Sequence, residues 1–270
     1  MAGSLNSVMV IGTVEADPEM RFSQEGVPVT NFTVGVNRHW RDREGNPQES
    51  TDWLHVVAWD KLAESCNAHA PKGTSVYVEG HLKTRNWETQ DGQKHYRTEV
   101  IANSVNLVAR APADGSSDEG QVTESSGDAD ALPVAALNRV TVIGNVGRDP
   151  EMRSLPSGTQ VASFSVAANR RWRDKEGNSQ EETEWVRVSA WDRLAEICHQ
   201  YAVKGRQVYI EGRLQTRSYE GRDGQKRQWT EVRANTMMLL GSRPGGAAVP
   251  GDVAESTSTA EESGEDEIPF

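Results

Sequence analysis

Trp53, His55, Val57 and Trp59 occupy alternate positions of one short segment, and Trp185, Arg187, Ser189 and Trp191 repeat the arrangement further along. Alternate residues of an extended strand share a face, so each segment sets two indoles beside an imidazole or a guanidinium. The interposed Leu54, Val56 and Ala58, and Val186, Val188 and Ala190, supply an apolar face for a core. A second alternating series reads Tyr77, Glu79, His81, Lys83, Arg85 and Trp87, matched by Tyr209, Glu211, Arg213, Gln215, Arg217 and Tyr219. Its other face is Val76, Val78, Gly80 and Leu82. Rings that alternate with cations on one surface can stack unpaired nucleobases, at about 1–3 kcal/mol per base whatever the base. The cations can neutralise phosphates and release counterions, which makes such binding salt-dependent. Duplex DNA hides its π-faces, so the surface suits single strands.

The expected stacking residues are Trp40, Trp53, Trp59, Trp87, Trp172, Trp185, Trp191 and Tyr219. Parity from Phe32, Val34 and Val36 would turn Trp40 inward, but it begins Trp40-Arg41-Asp42 at a strand end and is placed at the groove rim. The expected phosphate contacts are Arg38, Arg41, His55, Lys83, Arg85 and Lys94 in the first half. In the second they are Arg170, Arg171, Arg173, Arg187, Arg213, Arg217, Lys226 and Arg227. Trp229 stands where the first half has Arg97. Counting back from Asp223-Gly224 puts residue 219 opposite 228, which turns Trp229 to the other face. With Tyr219 for Trp87 and more arginine, the second half is expected to lean on phosphates and the first on stacking.

These residues recur because the chain carries one domain twice. Asn6-Ser-Val-Met-Val-Ile-Gly12 is echoed by Asn138-Arg-Val-Thr-Val-Ile-Gly144, and a shift of 132 positions holds without a gap to Leu107 and Leu239. A repeat of about 100 residues is a whole domain rather than a solenoid unit. Within the first copy the pattern predicts strands near 8–14, 28–39, 52–59, 74–88 and 94–108. A helix is predicted near 60–69, ended by Lys72-Gly73, and Asp91-Gly92 marks a hairpin. Five strands with one helix between the third and fourth fit an OB-fold, a small Greek-key barrel. The chain thus reads as mainly β: two tandem five-stranded OB barrels over 1–110 and 137–243. A flexible acidic linker at 111–136 and a disordered acidic tail at 244–270 complete it.

Net charge is −11, which at first argues against a nucleic-acid binder. Its distribution reverses that reading. Residues 1–110 hold 11 basic against 14 acidic groups and residues 137–243 hold 18 against 13, whereas linker and tail together carry 13 acids and no base. Acidic appendages on a less acidic body are a nucleic-acid-binding pattern. Cys66 and Cys198 occupy one position of the repeat, four residues after a leucine on a helix face, and read as small buried hydrophobes. No secretory signal or membrane-length apolar run is seen, so a soluble, cytoplasmic protein is expected. Six histidines (His39, His55, His69, His81, His95, His199) show no metal-ligand spacing. No catalytic set, metal or cofactor is expected.

With these residues in view the chain resembles bacterial single-stranded DNA-binding proteins, in the duplicated form of the Deinococcus–Thermus lineage. The likeness rests on DPEMR at 17–21 and 149–153, WRD at 40–42 and 172–174, KGTSVYVEG at 72–80 with KGRQVYIEG at 204–212, and DEIPF at 266–270. It implies sequence-tolerant binding and protection of single-stranded DNA, with stacking at the eight positions above. It also implies a homodimer holding four OB-folds. Asp266, Glu267, Ile268, Pro269 and Phe270 resemble a docking tip for replication, recombination and repair proteins. A different reading, an OB-fold interaction scaffold of primosome type or an RNA chaperone, stays open on the residues alone.

Overall fold

A computed structural model describes residues 3–42, 44–88, 94–109, 136–173, 177–220 and 226–241. The expected linker, apart from residue 136, and the expected tail with its tip at 266–270 lie outside the described residues. The first half runs β1 (Leu5–Val14), β2 (Glu19–Phe22), β3 (Pro28–Arg41), β4 (Pro47–Trp59), α1 (Asp60–His69), β5 (Ser75–Glu88) and β6 (Lys94–Ala109). The second runs β7 (Leu137–Val146), β8 (Glu151–Ser154), β9 (Gln160–Arg173), β10 (Ser179–Trp191), α2 (Asp192–Tyr201), β11 (Gln207–Glu220) and β12 (Lys226–Leu240). The expected strands and helix are present, and the strands of the first hairpin, β3 and β4, are longer than their apolar alternation suggested. The short β2 and β8 are additional.

Strand order is β2-β3-β4-β6-β5-β1-β7-β11-β12-β10-β9-β8, and β1 and β7 also pair with β3 and β9. Those extra pairings close each half into a barrel, with β4 parallel to β6 and β10 parallel to β12. Closure needs a tight approach. A Cβ on Gly12 would sit 2.5 Å from the Gly35 carbonyl oxygen, and one on Gly144 would sit 2.2 Å from that of Ala167. Glycine lets β1 and β7 bend onto their partners there. Inside the first barrel Val8, Val10, Val34, Val36, Leu54, Val56, Val76, Val78 and Leu82 are all buried, each contributing roughly 1.5–3 kcal/mol relative to exposure. The helix seals one end: Ala63 and Cys66 are buried, and the Thr30 hydroxyl donates to the Ala63 carbonyl at 2.8 Å.

The repeated DPEMR segment has a structural job. Its aspartates accept the backbone N–H of the post-helix loop, Lys72 to Asp17 at 2.8 Å and Lys204 to Asp149 at 2.7 Å. The rest of the segment forms the edge strands β2 and β8. Between the halves, β1 and β7 pair antiparallel from Leu5↔Ile143 to Ile11↔Leu137. The two barrels therefore share one continuous sheet, related by a pseudo-twofold axis between β1 and β7. Among the described residues no helix is long and apolar enough to cross a membrane.

Candidate nucleic-acid interface

The alternation of β4 and β10 holds in space. Trp53 is 42% exposed and Trp185 is 54% exposed, whereas Leu54, Val56, Val186 and Val188 are buried. Each indole rests on a glycine, but on a different one. A Cβ on Gly35 would lie 2.6 Å from Cζ3 of Trp53, and one on Gly147 would lie 2.3 Å from Cζ3 of Trp185. Position 167, equivalent to Gly35, is Ala, and position 15, equivalent to Gly147, is Glu. The seat has thus moved from β3 in the first barrel to the end of β7 in the second, and the ring with it. Val57 departs from its expected outward exposure: it is buried, on the part of β4 that pairs with β6.

Trp40 and Trp172 keep the parity of the core residues, yet they are 37% and 39% exposed. The β3–β4 and β9–β10 hairpins project beyond the barrels, where the inward face meets solvent. A guanidinium lies over each ring: Arg38 at 3.8 Å from the Trp40 centroid and Arg170 at 5.3 Å from that of Trp172. Such contacts are worth about 0.5–1 kcal/mol when exposed and hold both partners flat.

Trp59 and Trp191 are half-buried at the strand-to-helix corners. Arg85 stands 5.8 Å from the Trp59 ring, and Arg217 and Arg233 stand 5.0 and 4.4 Å from Trp191. The Nε1 of Trp191 is buried without a partner among the described residues. Carboxylates hold the arginines: Glu99 lies 3.2 Å from Arg85 and 3.7 Å from Arg97, and Glu231 lies 3.5 Å from Arg217. Ser189 donates to Glu231 at 2.9 Å. Neither Arg97 nor Arg233 was among the expected phosphate ligands. The signal for both lay in the last strand, where buried Val100, Val232 and Ala234 set the parity that turns them outward.

His55 sits beside Thr33, whose hydroxyl is 3.3 Å from Nδ1. Burial, and then the charge of Arg97, hold its pKa below the usual histidine value. Its lowered pKa favours the neutral, hydrogen-bonding imidazole over the cation implied by its grouping with arginines.

The series on β5 and β11 does not form one surface. A bulge at Glu79/Gly80 and another at Glu211/Gly212 turn each strand as it leaves the shared sheet. Tyr77, Glu79, Tyr209 and Glu211 lie on the outer face of that sheet, where Glu211 accepts from Arg139 at 3.0 Å and from the Tyr209 hydroxyl at 2.7 Å. His81, Lys83 and Arg213 lie at the junctions between the barrels, and only Arg85 and Arg217 reach the tryptophans.

The two junctions differ. At one, Arg213 donates to Asp52 of the other barrel at 2.8 Å, with side chains 12% and 7% exposed. Arg213 is accordingly removed from the open cationic set: its charge is spent on a carboxylate inside the protein. Burial raises the Asp52 pKa even against the arginine, and burial likewise lowers that of Arg213. At the other junction Arg170 is 2.8 Å from Nε2 of His81, Lys83 is 3.2 Å from Glu182, and the Thr84 backbone N–H donates to Glu184 at 2.9 Å. A cleft of about 290 Å³ opens there, lined by His81, Lys83, Arg170 and Arg171 among others.

Of the remaining cations, Arg41 donates to the Gly45 carbonyl at 3.0 Å and Arg171 pairs with Glu181 at 3.1 Å. Arg173 and Arg187 are exposed. The side chains of Trp87, Lys94, Tyr219, Lys226 and Arg227 lie outside the described residues. Trp229 overturns its expected orientation. Residue 219 pairs with 227, one position off the count from the turn, so Trp229 is the cross-strand partner of Arg217 and shares its outward face.

Both barrels match the Single-strand binding protein family, over residues 5–108 and 137–240. The chain belongs to that family. It is similar along most of its length to the single-stranded DNA-binding protein of Deinococcus radiodurans, 33% identical over 266 residues that cover 96% of this chain and 85% of the relative. The single-stranded DNA-binding protein of Thermus aquaticus is 33% identical over 237 residues, covering 87% and 84%. The crystal structure of the wild-type Thermus aquaticus protein superposes with a TM-score of 0.66 at 26% identity, covering 91% of this chain and 98% of that one. Two barrels per chain and mainly β architecture are thus common to both. Members of the family are binding proteins and not enzymes. No cluster of three His, Cys, Asp or Glu that could hold a metal occurs among the described residues.

Proposed function

We propose that the chain coats single-stranded DNA without regard to sequence, stacking nucleobases on its indoles and holding phosphates with the neighbouring guanidinium groups. The observation that carries this reading is the solvent exposure of Trp40, Trp53, Trp172 and Trp185, each on a barrel whose core is already filled by aliphatic side chains. Indoles left in water beside arginines are costly unless something covers them. The names of the relatives agree with this. The stacking set is Trp40, Trp53, Trp59, Trp172, Trp185 and Trp191, with Trp87 and Tyr219. The phosphate set is the one expected above without Arg213 and with Arg97 and Arg233 added. A titration of intrinsic tryptophan fluorescence with oligo-dT tests it. Stoichiometric quenching, little response to duplex, and loss of affinity with salt are expected; indifference to single strands or a strong preference for RNA would refute it.

The finer parts of the reading concern assembly. The outer face of the shared sheet carries Met9, Ile11, Tyr77, Ile143 and Tyr209, half-buried, and the exposed Met238. We assign it to a second copy of the chain, giving a homodimer of four barrels; sedimentation of Ile11→Glu against the parent tests that assignment. The tip Asp266–Phe270 is assigned to docking of replication, recombination and repair proteins, with acids steering and Phe270 entering an apolar pocket. Removing residues 268–270 should leave oligo-dT affinity nearly unchanged and abolish recruitment of such partners. Action at the nucleoid follows from the same reading.

A further inference from the structure

Trp229 lies on the ribbon of β11 and β12, directly across from Arg217. Buried Val232 and Ala234 fix the inward parity of β12, so residues 229, 231 and 233 all face out. The indole is 41% exposed. Arg217 in turn stands 5.0 Å from the Trp191 ring and 3.5 Å from Glu231. One guanidinium, held near one carboxylate, therefore has the Trp191 ring beside it and Trp229 as its cross-strand neighbour. Trp185, Arg187 and Glu231 line a small cavity beside the same strand.

The first barrel is built differently at the equivalent place. Arg85 is across from Arg97, and both arginines converge on Glu99, at 3.2 and 3.7 Å, with Trp59 the one indole of the equivalent group. Where the first barrel offers Trp59 with Arg85 and Arg97, the second offers Trp191 and Trp229 with Arg217 and Arg233. The exchange lies on the face that the stacking reading uses, and two residues along β12 from the partner of Tyr219. At about 3.3 Å per residue, an indole has been set some 7 Å nearer the barrel than the first copy's Trp87 position.

We propose that Trp229 is a nucleobase-stacking residue peculiar to the second barrel, forming with Trp191 and Arg217 a two-ring site that has no equivalent in the first. It rests on the stacking reading of the outward indoles. It also reverses the expected division of labour, because the more basic barrel then holds bases as well as phosphates.

The test uses the full chain and oligo-dT carrying 5-iodouracil. Irradiation followed by mass mapping should place adducts at Trp53 or Trp185 and also at Trp229. Trp229→Ala should weaken oligo-dT binding at least about fivefold, the low end of base–ring stacking converted at 1.4 kcal/mol per decade; Trp229→Phe should recover part of it. Trp229→Arg, which copies the first barrel, should steepen the dependence of log affinity on log salt by about 0.7, one added phosphate contact on a single strand. A merely structural role for the ring would not change that slope. Adducts at Trp53 or Trp185 with none at 229, and unchanged affinity and slope in the variants, overturn the inference and leave the stacking reading intact. Absence of adducts at every indole overturns both.

Discussion

The buried pair Asp52–Arg213 allows the junction between the barrels to be weighed. At 2.8 Å and an effective dielectric of 20, the direct attraction is about 6 kcal/mol, most of it offset by the cost of taking both charges out of water. Truncating one partner leaves the other's desolvation uncompensated. Asp52→Ala should therefore destabilise the protein by about 3–5 kcal/mol, as a buried guanidinium is left facing Arg38 and Arg233, both of which contribute to the charge environment of Arg213 or Asp52. At about 2–4 °C per kcal/mol for a protein of this size, Tm should fall by roughly 6–20 °C. Arg213→Ala should cost a similar amount. The double replacement Asp52→Leu with Arg213→Met should recover most of the loss, because a well-packed apolar pair removes both desolvation penalties. Calorimetry of these proteins, with Asp52→Ala/Arg213→Ala added to close the cycle, makes the comparison. Additive losses, each below about 1 kcal/mol, would mean that the pair behaves as an exposed one, and the account of a dry junction would be wrong.

Three further outcomes are expected. The pKa of His81 is held below the ordinary value by burial first and by Arg170 second, so the unfolded chain takes up a proton that the folded one refuses. The stability it contributes is present above about pH 6.5 and is lost as pH falls below it; His81→Gln should flatten that limb of a urea-midpoint profile, leaving the share of His55, whose pKa is lowered in the same sense. Gly35→Ala and Gly147→Ala should each push an indole off its seat by more than 1 Å and weaken oligo-dT binding by about 5- to 100-fold if a stacked base is lost. The same variants should change Tm little, and unchanged affinity would disprove the seating role. Burial raises the thiols of Cys66 to about 11 and Cys198 to about 12, so neither should react with a thiol reagent at pH 7.5 until the chain unfolds; rapid labelling of the native protein would contradict the packing of the helices.

Much of this was legible from the residues because it follows from period-2 alternation. The outward indoles of β4 and β10, the aliphatic lining and the cysteine-bearing helix face are all local patterns. What escaped depends on partners or on register. All four residues of β2 are exposed, so no apolar alternation announces an edge strand. A one-residue difference in hairpin register was enough to turn Trp229 from one face to the other. The fate of Arg213 could not be read from its own strand, because the carboxylate it meets belongs to the other barrel, 161 positions away. Similarly, the bulges at Gly80 and Gly212 divided a series that looks continuous in sequence into three surfaces.

The pairing of β1 with β7 joins two barrels that are no longer copies. When two identical chains meet about a true twofold axis, every substitution appears on both sides and the two flanks of the contact must stay alike. Tandem fusion lifts that constraint. One flank here has become a dry ion pair and the other a polar cleft, and the ring–arginine sets on the two barrels have diverged in step. Such a surface has a head and a tail. If the proposed single strand lies along it, a strand running one way meets a different order of rings and cations from one running in reverse.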